Sequence, residues 1–176
     1  MLTANSSGTS SMKSESARPV RTFATFRIAG DELVPDQVTK LLKIVPSHAH
    51  AKGERFSAGP RSQNLEGRTG IWYFSTDRLV ASEHLTDHLS FLVLVLAGAA
   101  RSPSPAQWTT NLLQLGQFIE RHAFRAALTC FWDGPVGSKL PTIPRELLYV
   151  SKIIHAEIET DFDTEEEPPQ PAMAHY

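Results

Sequence analysis

Apolar and polar residues alternate from Thr22 to Ile28. Ala24, Phe26 and Ile28 fall on one side, and Phe23, Thr25 and Arg27 on the other, which is the period of two of a β-strand. Gly30 and Asp31 break the strand as turn residues do. Pro35 suits the first turn of a helix, where a missing N–H costs nothing. Val38, Leu41 and Leu42 then recur at helical spacing and offer an apolar stripe to the strand. Pro46 ends the helix, because the residue before a proline avoids helical angles. One strand and one helix cannot bury a core, so the rest of the chain must complete a sheet.

The segment from Ser47 to Thr69 shows no such period. It holds Gly53, Gly59, Pro60 and Gly67, with Lys52, Arg55, Arg61 and Arg68 set against Glu54 and Glu66. A loop of this length is either mobile or a binding loop. Gly70 to Thr76 is aromatic and predicts a second strand. A helix is predicted from near Ser82, with Leu85, Leu89, Leu92 and Leu96 as its buried stripe, ending at Gly98. Ser104, Pro105 and Gln107 spell a capping box for the next helix, whose apolar face is Trp108, Leu112, Leu115 and Ile119. Gly116 weakens that helix by about 1 kcal/mol relative to Ala, unless close packing needs the gap.

Arg125 to Asp133 predicts a third strand, with Leu128, Cys130 and Trp132 on one face and Thr129, Phe131 and Asp133 on the other. A helix capped by Thr142 or Ile143, with Pro144 in its first turn, carries Leu147, Leu148 and Ile154. The closing strand places Ala156, Ile158, Thr160 and Phe162 opposite His155, Glu157, Glu159 and Asp161. Carboxylates in a row cannot be buried unpaired, so that side is wet or matched by cations. Four strands and four helices in this order predict an α+β two-layer sandwich. Its sheet is mostly antiparallel, its helices lie on one face, and two split strand–helix units give it a ferredoxin-like character. The other sheet face is left open.

Composition narrows the picture. The 176 residues suit one domain, 21–162, between a disordered segment, 1–20, and a disordered acidic, proline-rich tail, 163–176. The net charge is −2; the tail carries −4 and the first twenty residues +1, which leaves +1 for the body by difference. So weak a field argues against nucleic acid as a partner. With Cys130 as the only cysteine, an intrachain disulfide and a cysteine-based zinc site are both excluded. No secretory signal is evident, and the longest apolar run, Phe91 to Ala100, is roughly half a membrane span. The expectation is a cytoplasmic protein with no membrane partner.

The opening strand FATFRIAGDEL, the helix end LLKIVP, the strand GIWYFST, the segment IPRELL and the closing IETDFD together resemble a bacterial family catalogued as domain of unknown function 4279. The resemblance spans Phe23 to Asp163. It implies the fold and a bacterial, soluble context, and it brings no catalytic residue with it.

Several constellations invite chemistry. His84 and His88, four apart, would share a helix face beside Glu83 and Asp87; with no third ligand, a solvated face is the plainer reading. His48 and His50 would share a face if extended. Cys130 points to the core, where a thiol is inert. Phosphate loops, nucleophile elbows and dinucleotide fingerprints are missing, so no catalytic residue, metal or cofactor is assigned. What remains is the open face and the basic loop, with Arg27, Arg55, Arg68, Trp72, Tyr73, Phe131, Glu157, Glu159 and Asp161 as candidate binding residues. Arg27 is expected to pair with one of the acids if the first and last strands are neighbours. The sequence suits a non-enzymatic binding or interaction module for a protein partner or small ligand. Its rival is a small-molecule enzyme with Glu157, Glu159 or Asp161 as base and Arg55 or Arg68 holding an anion.

Overall fold

The computed structural model describes residues 21–57, 65–99, 104–135 and 137–164. The expected disordered start, 1–20, and all of the tail beyond residue 164 lie outside them. Five strands form the main sheet: β1 (Arg21–Gly30), β2 (His48–His50), β5 (Gly70–Ser75), β6 (Arg125–Asp133) and β7 (Ala156–Asp163). Their order is β2-β5-β1-β6-β7. Three ladders are antiparallel and the β6–β7 ladder is parallel. A second, two-stranded sheet pairs β3 (Arg55–Phe56) with β4 (Leu65–Glu66).

The fold is α+β, and the described residues hold four helices: α1 (Pro35–Leu42), α2 (Leu85–Ala97), α3 (Pro105–Arg121) and α4 (Arg145–Ile153). Of the two expected split strand–helix units one is present: β5 and β6 both run antiparallel to β1 and lie on either side of it, joined through helices that follow β5. The chain after β6 is long enough for a crossover, so α4 returns it to a parallel neighbour and β6–α4–β7 is an unsplit unit. β1 and β5, joined through α1, lie side by side antiparallel. The segment expected to be one loop instead supplies β2, which extends the sheet edge, and the β3–β4 ladder.

The alternation of β1 sets the two layers. Ala24, Phe26 and Ile28 are fully buried, and α2 packs over this central strand. Leu85, Leu89, Leu92 and Leu96 are buried in the same core, joined by Leu112, Leu115 and Ile119 from α3 and by Leu147 and Val150 from α4. Gly116 is where α3 and α4 meet: a Cβ there would lie 2.1 Å from the Ile153 carbonyl oxygen. Close packing therefore requires the glycine, and its propensity cost is the condition of that contact.

Some local expectations change. Gln107 does not close a capping box; its side-chain amide donates to Asn111 Oδ1 at 3.1 Å. Pro144, not Thr142 or Ile143, stands at the N-cap of α4, and Leu148 is 45% exposed while Val150 takes the buried position. His155 precedes β7 in a left-handed conformation (φ 52°) and lies 3.9 Å from Glu120 of α3, so it leaves the acidic row. His84 is the N-cap residue of α2, which begins at Leu85 rather than near Ser82. His88 is buried, not solvated: Nε2 is 3.0 Å from the Ser82 carbonyl and Nδ1 is 2.7 Å from Thr76 Oγ1. That hydroxyl oxygen accepts the Ala24 N–H at 2.8 Å. The histidine thus ties the start of α2 to the β1–β5 ladder.

Candidate functional site

The sheet face turned away from the helices is built from the other parity of each strand. Register places Phe131 beside Phe23, Thr129 beside Thr25, and Ala127 beside Arg27. On β7 the partners of Ala127, Thr129 and Phe131 are Glu157, Glu159 and Asp161. On the far side Tyr73 pairs with Arg27 and with His48. One surface therefore gathers Arg27, Tyr73, Phe131, Glu157, Glu159 and Asp161. Trp72 is excluded from it. It lies on the helix-covered face with no exposed surface, and its indole N–H donates to Thr39 Oγ1 at 3.0 Å. Adjacent residues of a strand cannot share a face, so Tyr73 and Trp72 could never both belong to the site.

The first and last strands are not neighbours, because β6 lies between them. Arg27 nevertheless reaches Glu159 Oε1 at 3.4 Å. The residue it must cross is Ala127, whose methyl group leaves the guanidinium room to pass. Thr129 Oγ1 donates to the other carboxylate oxygen at 2.9 Å. Both ends of this ion pair are about half exposed (47% and 44%), which limits its contribution to about 1 kcal/mol or less.

Two features flank the pair. Phe23 and Phe131 stack with ring centroids 4.4 Å apart and planes 16° from parallel. The Arg21 guanidinium lies 5.3 and 5.5 Å from their centroids, within cation–π range, and 3.8 Å from Asp77. On the other side a cleft of about 310 Å3 is lined by Arg27, Ala29, Thr69, Ile71, Arg125, Ala127, Glu157 and Glu159. Arg125 is the residue the sequence reading passed over. Its signal was present, since it shares the parity of Ala127, Thr129 and Phe131.

The basic segment closes the β2 edge. His48 Nε2 and His50 Nδ1 are 2.9 Å apart, and Phe56 stacks on His50 with centroids 4.1 Å apart. Burial, then the neighbouring His48, holds His50 below its ordinary pKa of 6.5, against the opposing pull of Glu54 and the Thr69 backbone. Lys52 donates to Asp31 at 2.5 Å. That bond, followed by one from Thr69, keeps the Asp31 carboxyl below its usual range, and the same bond, with the Asp31 charge, holds the Lys52 ammonium above its own. Arg55 and Arg68 are exposed on this segment, and neither lines the cleft.

Cys130 is fully buried on the helix side, and burial pushes its thiol up to about 11. Among the described residues no three His, Cys, Asp or Glu gather as a metal site, and no helix is long and apolar enough to cross a membrane.

Fold and face together define a one-sided α+β domain whose sheet presents stacked aromatics and mixed charge. The chain belongs to the family described as Domain of unknown function (DUF4279), whose model matches residues 19–164. No curated protein and no solved structure matches it.

Proposed function

We propose that the chain is a non-enzymatic binding module whose working surface is the open face of the sheet. The supporting observation is the composition of that face. Stacked Phe23 and Phe131 lie under Arg21, next to the Arg27–Glu159 pair and an adjoining cleft. Aromatics and arginine at the centre of a mixed-charge surface are the composition of recognition surfaces. The enzyme reading needs Arg55 or Arg68 to hold an anion beside a carboxylate base, yet the cleft that contains Glu157 and Glu159 is furnished with Arg27 and Arg125.

The test is a titration of isotope-labelled protein with the protein and small-metabolite fractions of the native lysate, read by amide chemical shifts. Shifts confined to β1, β5, β6 and β7, and lost in Arg27→Glu, are expected. Shifts confined to α1–α4, or none from either fraction, overturn the reading.

A further inference from the structure

We infer that the cleft beside Arg27 receives a small zwitterion of the α-amino-acid type, an assignment that rests on the open face being the working surface. Four charges rim it, two arginines and two glutamates, so its net charge is zero. They are not equivalent. Arg27 and Glu159 are engaged with each other, and Glu159 also accepts from Thr129. Among the described residues, the side chains of Arg125 and Glu157 make no hydrogen bond or ion pair, in contrast to Arg27, Thr129 and Glu159.

These two stand on one face of neighbouring parallel strands, since Ala127, two residues after Arg125, is the register partner of Glu157. Strand spacing and rise put their Cα atoms roughly 8 Å apart. The protein thus holds a cation and an anion near each other but does not join them.

A ligand with a single charge can satisfy only one of them. An anion on Arg125 would face Glu157, and a cation on Glu157 would face Arg125. A carboxylate and an ammonium carried on one small molecule satisfy both through charge-assisted hydrogen bonds. The size agrees: about 310 Å3 is at the lower end of ligand clefts. Ala29, Ala127 and Ile71 supply the apolar wall against which a short aliphatic side chain can lie.

The experiment titrates the labelled full chain with alanine and valine, and in parallel with propionate and propylamine, which carry one charge each. Alanine and valine are expected to shift amides of β1, β6 and β7, and the single-charge analogues are expected to shift none at the same concentration. Arg125→Gln and Glu157→Gln should each weaken amino-acid binding by about tenfold or more. Both positions are exposed, so the melting temperature without ligand should not move, which separates lost recognition from lost folding. Propionate or propylamine binding as tightly as alanine overturns the inference. So does full affinity in both variants, or no amide shift from any amino acid. In that last case the open-face reading is judged separately by the lysate titration. Amino-acid shifts confined to α1–α4 overturn both.

Discussion

The two faces of the main sheet are made from alternate residues of the same strands, yet different forces hold them. On the helix side of β1, Ala24, Phe26 and Ile28 have no exposed surface, and their neighbours across the ladders are Phe74, Trp72, Leu128 and Cys130. Each large side chain buried there contributes roughly 1.5–3 kcal/mol. On the open side the same strand offers Phe23, Thr25 and Arg27, which meet a stacked ring, a threonine and a half-exposed carboxylate. Individual contacts of those kinds contribute about 0–1.5 kcal/mol. Stability therefore rests mainly on one parity of residues, and the other parity is under less packing constraint.

The strongest challenge to this contrast is a large truncation on the covered side. Phe26→Ala should cost about 3–5 kcal/mol in chemical denaturation, because the space it leaves cannot fill. A loss no larger than that of an open-face substitution would erase the difference between the faces. The layer of helices can be probed next. Gly116→Ala drives a methyl group against the Ile153 carbonyl and should cost about 1–3 kcal/mol by overpacking, despite the better helix propensity of alanine. A gain in stability would show that α3 and α4 part without cost.

On the open face, Glu159→Ala should cost under about 1 kcal/mol, since its partner Arg27 is half exposed and remains solvated. A loss near that of Phe26→Ala would make the ion pair structural and take the face out of consideration as a free surface.

The subtlest effect is a dependence on pH at the β2 edge. His50 is harder to protonate folded than unfolded, because burial and His48 oppose its charge. Below pH 6.5, its ordinary value, the unfolded chain binds the extra proton. This stabilising contribution is therefore complete above that pH and is lost as the pH falls. Urea midpoints between about pH 7.5 and 5.5 should decline more steeply for the native chain than for His50→Phe, which keeps a ring against Phe56. Equal slopes would place the acid sensitivity elsewhere.

Much of this was legible in the residues. The parity of β1, β6 and β7 is written in their alternation, so the membership of Arg27, Phe131, Glu157, Glu159 and Asp161 in one face follows from it. Parity also contains Arg125, and it rejects Trp72 once Tyr73 is accepted. His88 was not legible. Spacing puts it four residues from His84, but the helix begins one residue after His84, and only the packing of α2 on β1 brings Thr76 to its ring. The β2 strand was hidden for a similar reason: three residues of His-Ala-His have little strand preference of their own, and pairing with β5 supplies it.

By itself, then, the sequence determined which residues are apolar partners, where most elements begin and end, and which side chains share a strand face, because these depend on local period and backbone preference. Tertiary structure alone decided the order β2-β5-β1-β6-β7 and the insertion of β6 between Arg27 and its acid. It also decided that alanine, at position 127, is the residue Arg27 crosses. Strand order is set by crossover paths and by the shared burial of the helices, and no local window contains either.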